Sequence, residues 1–450
     1  MDFVLGDDFR YTRTMLDLVK INKVHFIGIG GIGISAIARM MMLEGKEVSG
    51  SDRGASIVTA ELAKLGAKIY LEQKAENIPN DVELVVYTIA IPEDNPEFIR
   101  AKELGVPMLT YPQILGLVSA SKYTVAVSGT HGKTTTTAML AKIFIDAKLD
   151  PTVVVGSMLI DQKSNFIAGA GKYFITEACE YKRSFLNLNP QAVVITNIDT
   201  DHLDYYKDLA DIQSAFVSLV EKIPADGYLV CDKNDPVLVP VLIAAKCQIL
   251  DYPNSLGCQA PKLELKQSGE HVKKDALAAL TISKALGISE ESILKSLSEF
   301  SGTWRRFEFK GTMKNGALVY DDYAHHPTEI KATLSGVKEM AKGKKSVVVF
   351  QPHLFSRTKL LLEDFSNSFV DADTIIITDI YAAREIDDGS IKSQDLVALI
   401  KAKGKDVVYA SNFAEVGKII QEKTDPGDVV VTMGAGDIFK VGEKLITNDE

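Results

Sequence analysis

The sequence predicts an α/β protein with parallel-rich sheets, divided into about three domains. Three observations carry that expectation. Short β-branched runs alternate with longer amphipathic stretches along the whole chain. At roughly 150 residues per domain, 450 residues supply about three cores. Two of the apolar runs end in glycine-rich turns that lead directly into helical sequence. Boundaries are expected near residues 118 and 303, giving units 1–118, 119–303 and 304–450.

In the first unit the apolar runs are KVHFIGIG, EVSGSD, AKIY, ELVVYTIA and VPMLT, each closed by Gly, Ser, Thr or Pro. After the first of them Gly28, Gly30 and Gly33 fit G-x-G-x-x-G and precede the helical ISAIARMMMLEG. Glycines there allow a tight turn and close approach of a diphosphate to a helix N-terminus, which is the Rossmann-like arrangement. Asp52, 19 residues after Gly33, ends the next run where a ribose hydroxyl would lie. A dinucleotide and another diphosphate-bearing nucleotide both satisfy this pattern.

The second unit opens with YTVAVSG and then GTHGKTTTT. Val127 stands where the usual phosphate loop has its first glycine, so the loop is a shorter one, Gly129, Thr130, His131, Gly132, Lys133, Thr134. Strand, glycine turn, Lys, Thr and helix still form the arrangement in which amides cradle phosphates, Lys neutralises them and a hydroxyl reaches Mg²⁺. Two later segments, TEACEY with Glu177 and Glu180, and TNIDTDHLDYY with Asp199, Asp201, His202 and Asp204, follow apolar runs. They should therefore emerge at carboxyl ends of strands and offer hard ligands to a metal. KYFITEACE and QAVVITNID are the strands, and KDALAALTISKAL and SEESILKSLSEF the closing helices. The third unit holds GALVYDDY, KSVVVFQPH, DTIIITDI, KDVVYA and GDVVVTMGAGD as strands.

Bulk properties bound the partners. Lys plus Arg number 50 against 60 Asp plus Glu, and a net charge of -10 argues against a nucleic-acid or acidic-membrane surface. The start MDFVLGDDFRYTRTMLDLVK has no uninterrupted apolar core, and no apolar run approaches membrane-spanning length, so a cytoplasmic protein is expected. Cys179, Cys231, Cys247 and Cys258 lack zinc-like or C-x-x-C spacing and read as buried or free thiols rather than a disulfide or metal framework.

Taken in order, GIGGIG, GTHGKTTTT, EACE, TNIDTDHLDYY, WRRFEFKG, DDYAHHPTEI and FQPHLFSRT resemble the Mur ligase family, over about Lys23 to Asp437. The resemblance implies a Rossmann-like UDP-sugar domain, a central ATP-binding domain and a Rossmann-like third domain that completes the site. It implies ATP-dependent addition of L-alanine to UDP-N-acetylmuramate through an acyl phosphate, in peptidoglycan precursor synthesis, by a monomer or weak homodimer. Gly28, Gly30, Gly31, Ile32, Gly33, Ser51, Asp52, Thr88 and Ala90 match the UDP-sugar side. Gly129, Thr130, His131, Gly132, Lys133, Thr134, Thr135, His271, Arg305, Arg306 and Asp322 match the ATP side, and Thr134, Glu177 and His202 the Mg²⁺ ligands. Tyr323, His325, His353 and Arg357 match positions facing the sugar's carboxylate and the amino acid. Catalytic roles fall to Lys133, Glu177, His202, His353 and Arg357. A sibling ligase adding another amino acid or a recovered peptide, and a nucleotide-binding regulator of little activity, are the alternatives. Val272 and Asp275 replace the family's adenine-reading Asn pair, and Leu354 stands where some members carry Arg. An ionised Asp275 would offer acceptors only.

Overall fold

The computed structural model describes residues 17–203, 205–254, 263–383 and 385–447. Asp204 and Cys258, and most of the N-terminal stretch read above, lie outside them. Three sheets follow one another along the chain. The first contains β1 (Lys23–Ile27), β2 (Glu47–Ser51), β3 (Lys68–Tyr70), β4 (Leu84–Tyr87) and β5 (Met108–Thr110), parallel in the order β3-β2-β1-β4-β5. Its central strand β1 is buried along four of five residues, as a strand covered by helices on both faces must be. The order reverses between β1 and β4, which opens a crevice beyond their carboxyl ends.

The second sheet has seven strands: β6 (Tyr123–Ser128), β7 (Thr152–Leu159), β8 (Ser164–Ile167), β9 (Tyr173–Glu177), β10 (Ala192–Ile195), β11 (Tyr228–Cys231) and β12 (Gln248–Asp251). Their order is β12-β11-β10-β6-β9-β7-β8, parallel except for β8 against β7. β6 therefore lies between β10 and β9, so the segments leaving all three strands converge. The third sheet orders β13 (Glu308–Thr312), β14 (Leu318–Asp322), β15 (Ser346–Phe350), β16 (Thr374–Ile377), β17 (Asp406–Tyr409) and β18 (Val429–Met433) as β13-β14-β18-β15-β16-β17, with only β13 antiparallel.

The domains are packed against each other. One apolar cluster runs from Val24 and Phe26 of the first sheet to Val193 and Leu229 of the second. Asn165 of β8 donates its side-chain amide to the Ile32 carbonyl and to Ser35 Oγ (2.9 Å), tying the hairpin to the first turn of the helix Ile32–Leu43. The chain entering the third domain is held on β7, where Trp304 N–H donates to the Met158 carbonyl (2.9 Å) and Ser157 Oγ donates to the Trp304 carbonyl (2.7 Å). Among the described residues no helix is long and apolar enough to cross a membrane, and Cys179, Cys231 and Cys247 are free.

Candidate active site

The phosphate loop leaves β6 and enters the helix Lys133–Asp146 through two left-handed glycines, Gly129 (φ 127°) and Gly132 (φ 85°). Side chains are excluded there by contact as well as by backbone. A Cβ on Gly129 would fall 2.1 Å from Thr196 Oγ1, and one on Gly132 would fall 2.4 Å from Asp275 Oδ1. The loop is pinned by its neighbour strand: Thr130 N–H donates to the Asn197 carbonyl (3.1 Å) and His131 N–H to Asn197 Oδ1 (3.0 Å). Lys133 folds back on the loop, donating to the Gly129 and Thr130 carbonyls (2.5 and 3.0 Å) and to Glu180 Oε2 (2.9 Å). Burial alone would lower its pKa, but the neighbouring acidic groups, Glu180 first among them with Cys179 and Glu177, together outweigh burial and hold the ammonium charged.

The expected metal ligands divide into two neighbouring groups. Glu177, at the end of β9, accepts from Gly156 N–H (2.5 Å) and sits against the Thr134 hydroxyl. Burial raises its pKa, opposed by that amide and by the Arg306 and Lys133 charges. His202 stands in a left-handed conformation (φ 55°), which is uncommon outside glycine and recurs at functional positions. Its Nε2 lies 3.6 Å from Glu180 Oε1 and 3.9 Å from Asp201 Oδ2, and Glu177 is not among its ion-pair contacts within 4.0 Å. Glu180 thus links Lys133 to His202.

The third domain closes over this edge and encloses a cavity of about 360 Å³. His131, Gly132, Thr134, Thr135, His271, Val272 and Asp275 line it from the central domain, and Arg306, Asp322, Thr328 and Glu329 from the third. The arginine pair is split. Arg306 reaches the cavity with its guanidinium 3.5 Å from Thr134 Oγ1. Arg305, expected beside it, is 4% exposed and spends its donors inside the third domain on Asp321 Oδ2 (2.8 Å) and the Gly436 and Gly434 carbonyls (2.9 and 2.5 Å). A left-handed turn at Arg305 (φ 59°) accompanies the divergence. Asp322 accepts from Phe307 and Ala324 N–H (2.8 and 2.7 Å), and burial pushes its carboxyl up to about 7. Burial also lowers His271 to about 4.

Glu329 was not legible as a site residue, although the His-Pro-x-Glu spacing marks it as the acid of a helix capping box. Its Oε2 accepts from His325 and His326 N–H (3.0 and 3.2 Å), while Oε1 lies 3.3 Å from His131 Nδ1. Burial would raise Glu329, but His325 and His131 bring it well below the usual carboxylate range. On the far side of His131, Nε2 lies 3.3 Å from Asp199 Oδ2. Burial opposes the charge on that ring, yet the two carboxylates raise it to about 9.

On the expected substrate side, Arg357 reaches back to Asp201 Oδ1 (3.4 Å) and His353 Nδ1 (3.4 Å). Burial would raise Asp201, but His202 and Arg357 bring it to about 2. His353 stacks on Tyr381 with ring centroids 5.8 Å apart. Burial lowers His325 to about 4, and its Nδ1 lies 3.0 Å from the Tyr323 carbonyl. Tyr323 lies under Arg306 at 5.2 Å. Leu354 takes φ 70° at the start of the helix Phe355–Leu360.

In the first domain, Gly30 N–H donates to Asp52 Oδ2 (2.8 Å) and a Cβ on Gly30 would fall 2.7 Å from that oxygen. A Cβ on Gly28 would strike Thr88 Cγ2 at 2.6 Å, and one on Gly33 the Tyr111 ring at 2.8 Å. Gly31 caps the helix that begins at Ile32, and exposed Ala90 follows β4 on the same crevice. Ser51 is fully buried: its hydroxyl donates to Glu97 Oε2 (2.5 Å) and its carbonyl accepts from Gly28 and Ile29 N–H (2.9 Å each). It therefore shapes the turn from behind. Burial pushes the hydroxyl of Tyr111, whose ring backs Gly33, well above the usual phenol range, and the Glu177 charge adds to the rise.

Known proteins share this arrangement. Three domain families match in order: "Mur ligase family, catalytic domain" over residues 23–123, "Mur ligase middle domain" over 127–286, and "Mur ligase, glutamate ligase domain" over 305–436. A UDP-N-acetylmuramate--L-alanine ligase of Clostridium kluyveri is 44% identical over 451 residues, covering 95% of this chain and 98% of the relative. Its counterpart in Clostridium tetani is 44% identical over 455 residues, covering 96% and 99%. Among solved structures, a UDP-N-acetylmuramate-alanine ligase of Thermotoga maritima superposes with a TM-score of 0.81 at 29% identity, over 94% of this chain and 98% of that one. A murein peptide ligase of Psychrobacter arcticus gives 0.70 at 24% identity, over 94% and 98%, a likeness of fold alone. Matched through all three domains and across nearly its whole length, this chain belongs to the Mur ligase family.

Proposed function

We infer that this protein is an ATP-dependent ligase that joins L-alanine to the lactyl carboxylate of UDP-N-acetylmuramate in peptidoglycan precursor synthesis. The observation that carries the reading is the cavity in which the phosphate loop of the central domain faces Arg306 of the third. Relatives named for the alanine-adding reaction, 44% identical across the chain, support the choice of amino acid. A carboxylate is a poor acyl donor at neutral pH, so it must first be phosphorylated. The lactyl carboxylate attacks the γ-phosphate of ATP and ADP leaves with the bridging oxygen; the neutral L-alanine amine then attacks the acyl phosphate, inorganic phosphate leaves, and the nitrogen gives up a proton to form the amide.

Each residue has a part in that sequence. Lys133, freed from the loop carbonyls it now occupies, and Arg306 offset the charge on the phosphates. The Thr134 hydroxyl with the Glu177 carboxylate, and the His202 imidazole in the neighbouring group, would hold Mg²⁺ together with phosphate oxygens and waters, and the ion would supply further charge neutralisation at the transferring phosphoryl group. Gly28, Gly30, Gly31 and Gly33 admit the UDP diphosphate to the first helix. Arg357, His353 and His325 face the sugar's carboxylate and the incoming amine, with His325 neutral at physiological pH. We further propose domain limits of 1–118, 119–303 and 304–450, a cytoplasmic location, and a monomer or weak homodimer with no nucleic-acid or membrane partner.

Phosphate release from ATP, measured with UDP-N-acetylmuramate plus L-Ala, Gly, L-Ser or a tripeptide, tests the reading. Release dependent on both the sugar nucleotide and L-Ala is expected. Release with the tripeptide alone would instead mark a peptide-recycling ligase, and none with any amine a nucleotide-binding regulator.

A further inference from the structure

Among the described residues, one group of three histidine and acid side chains has ligand atoms all within 4.8 Å of one another, and it is not the phosphate-side set of Thr134, Glu177 and His202. It consists of His131, Asp199 and His326. The three come from the phosphate loop, the segment after β10, and the turn before the helix Pro327–Ala341, so the group bridges the central and third domains. We propose that His131, Asp199 and His326 form a binding site for a divalent ion of the zinc class, separate from the Mg²⁺ ligands of the ligase reaction.

The donor chemistry selects the class of ion. Two imidazoles and one carboxylate suit Zn²⁺, Co²⁺ or Ni²⁺, whereas Mg²⁺ favours oxygen ligands and retained waters. The group also has the supporting contacts of a metal site. Glu329 Oε1 lies 3.3 Å from His131 Nδ1, so the Nδ1–H donates to a carboxylate while Nε2 faces Asp199 Oδ2 at 3.3 Å. That carboxylate–imidazole order fixes the tautomer and orientation of a ligating histidine. Thr328 Oγ1 donates to the same Asp199 oxygen (2.8 Å) and fixes the carboxylate. An independent observation is the third histidine: His326 is 5% exposed, and its Nε2 is buried with no hydrogen-bond partner. Its ring centroid is 5.1 Å from that of His131.

Binding has definite costs. The proton on His131 Nε2 must leave to solvent, and the carboxylate charges that held it there then face the metal. His326 Nδ1 accepts from Thr328 N–H at 3.3 Å, so ligation through Nε2 moves the imidazole proton to Nδ1 and gives up that long contact. Because His131 and Asp199 line the nucleotide cavity, a bound ion would tie the third domain down over it.

The test is a Co²⁺ titration of the full chain, without nucleotide or Mg²⁺, read by visible absorption and repeated with Zn²⁺ as competitor. One equivalent of Co²⁺ should give a saturable band that Zn²⁺ removes and a large excess of Mg²⁺ does not. His326→Asn keeps a side-chain acceptor at the helix N-cap and removes one ligand, and Asp199→Asn removes the anionic one. Each should weaken binding by at least about tenfold, while His202→Ala leaves it unchanged. Circular dichroism checks that each variant is folded; should His326→Asn fail to fold, Asp199→Asn carries the comparison. No saturable band in the parent, or a band that survives both substitutions or is lost in His202→Ala, would overturn the proposal.

Discussion

Asp275 is 7% exposed, belongs to the helix Glu270–Ala285, and presents Oδ1 to Gly132 of the phosphate loop. Burial pushes its carboxyl from 3.8 up to about 8, against the opposing pull of Arg306 and His131. At pH 7 the folded chain therefore holds a proton there that the unfolded chain has released. The sign follows: folding takes up a proton between pH 3.8 and about 8, so stability falls as pH rises through that window. At about 1.4 kcal/mol per pH unit, the span from 3.8 to 7 amounts to a ceiling of about 4 kcal/mol. Asp275→Asn has the shape of the protonated acid and cannot ionise, so it should match the parent near pH 4 and exceed it increasingly up to pH 8. Urea unfolding of both proteins at pH 4.5, 6, 7.5 and 8.5 measures the difference. A difference that does not change with pH would refute the argument. The same protonation revises the reading of the adenine-side departure, because a protonated Asp275 offers a donor and an acceptor as an amide does.

Four further outcomes are expected. Lys133→Ala should abolish phosphate release with the fold retained, yet lower Tm because Glu180, its side chain 3% exposed, loses its hydrogen-bonded ammonium and keeps only the longer contact with His202; Glu180→Gln in the same chain should restore Tm. Gly30→Val forces a branched side chain against Asp52 and Thr59, so KM for the sugar nucleotide should rise well beyond that for ATP; equal rises would mean the two loops are misassigned. Glu177→Ala and His202→Ala should each lower kcat by about 10²–10³ and weaken the Mg²⁺ dependence, and an unchanged Mg²⁺ titration would remove the residue from the site. Glu329→Gln takes away one of the two carboxylates that raise His131, so its NMR titration midpoint should fall from about 9 toward 6.5.

Many of the strands read from sequence are apolar runs buried along nearly their whole length, such as KVHFI, YTVAVS and SVVVF, while β3, β5 and β17 were legible from apolar runs closed by turn residues. Those missed have physical reasons to be faint. β8 (SNFI), β12 (QILD) and β13 (EFKGT) are edge strands with polar or half-exposed residues, β7 carries an exposed glycine in mid-run, and β11 (YLVC) is buried but only four residues long. At the site, the glycine loops and the acids at strand ends were legible because local chain geometry fixes them. Arg305 and Arg306 are adjacent in sequence, and only the left-handed turn ahead of β13 tells which one faces the cavity. Glu329 was hidden for another reason: its capping role is local, whereas its contact with His131 spans 198 residues.

Those long-range contacts bear on how the site operates. Arg306 to Thr134 (3.5 Å), Glu329 to His131 (3.3 Å) and Arg357 to Asp201 (3.4 Å) all cross from the third domain to the central one at the long end of hydrogen-bond distances. Thr328 to Asp199 (2.8 Å) is shorter but exposed, and the other short links, Ser157 Oγ to the Trp304 carbonyl (2.7 Å) and Gln267 Nε2 to the Arg306 carbonyl (2.8 Å), lie where the chain enters the third domain. Partly exposed ionic contacts of such length contribute at most about 1 kcal/mol apiece. Closure is therefore held by several weak, directional links around a cavity rather than by an apolar seam. On the function proposed above, Arg306 would have to reach the phosphates for transfer and withdraw for the product to leave. Links of this length would permit both movements, and shortening any one of them would favour the closed form and slow release.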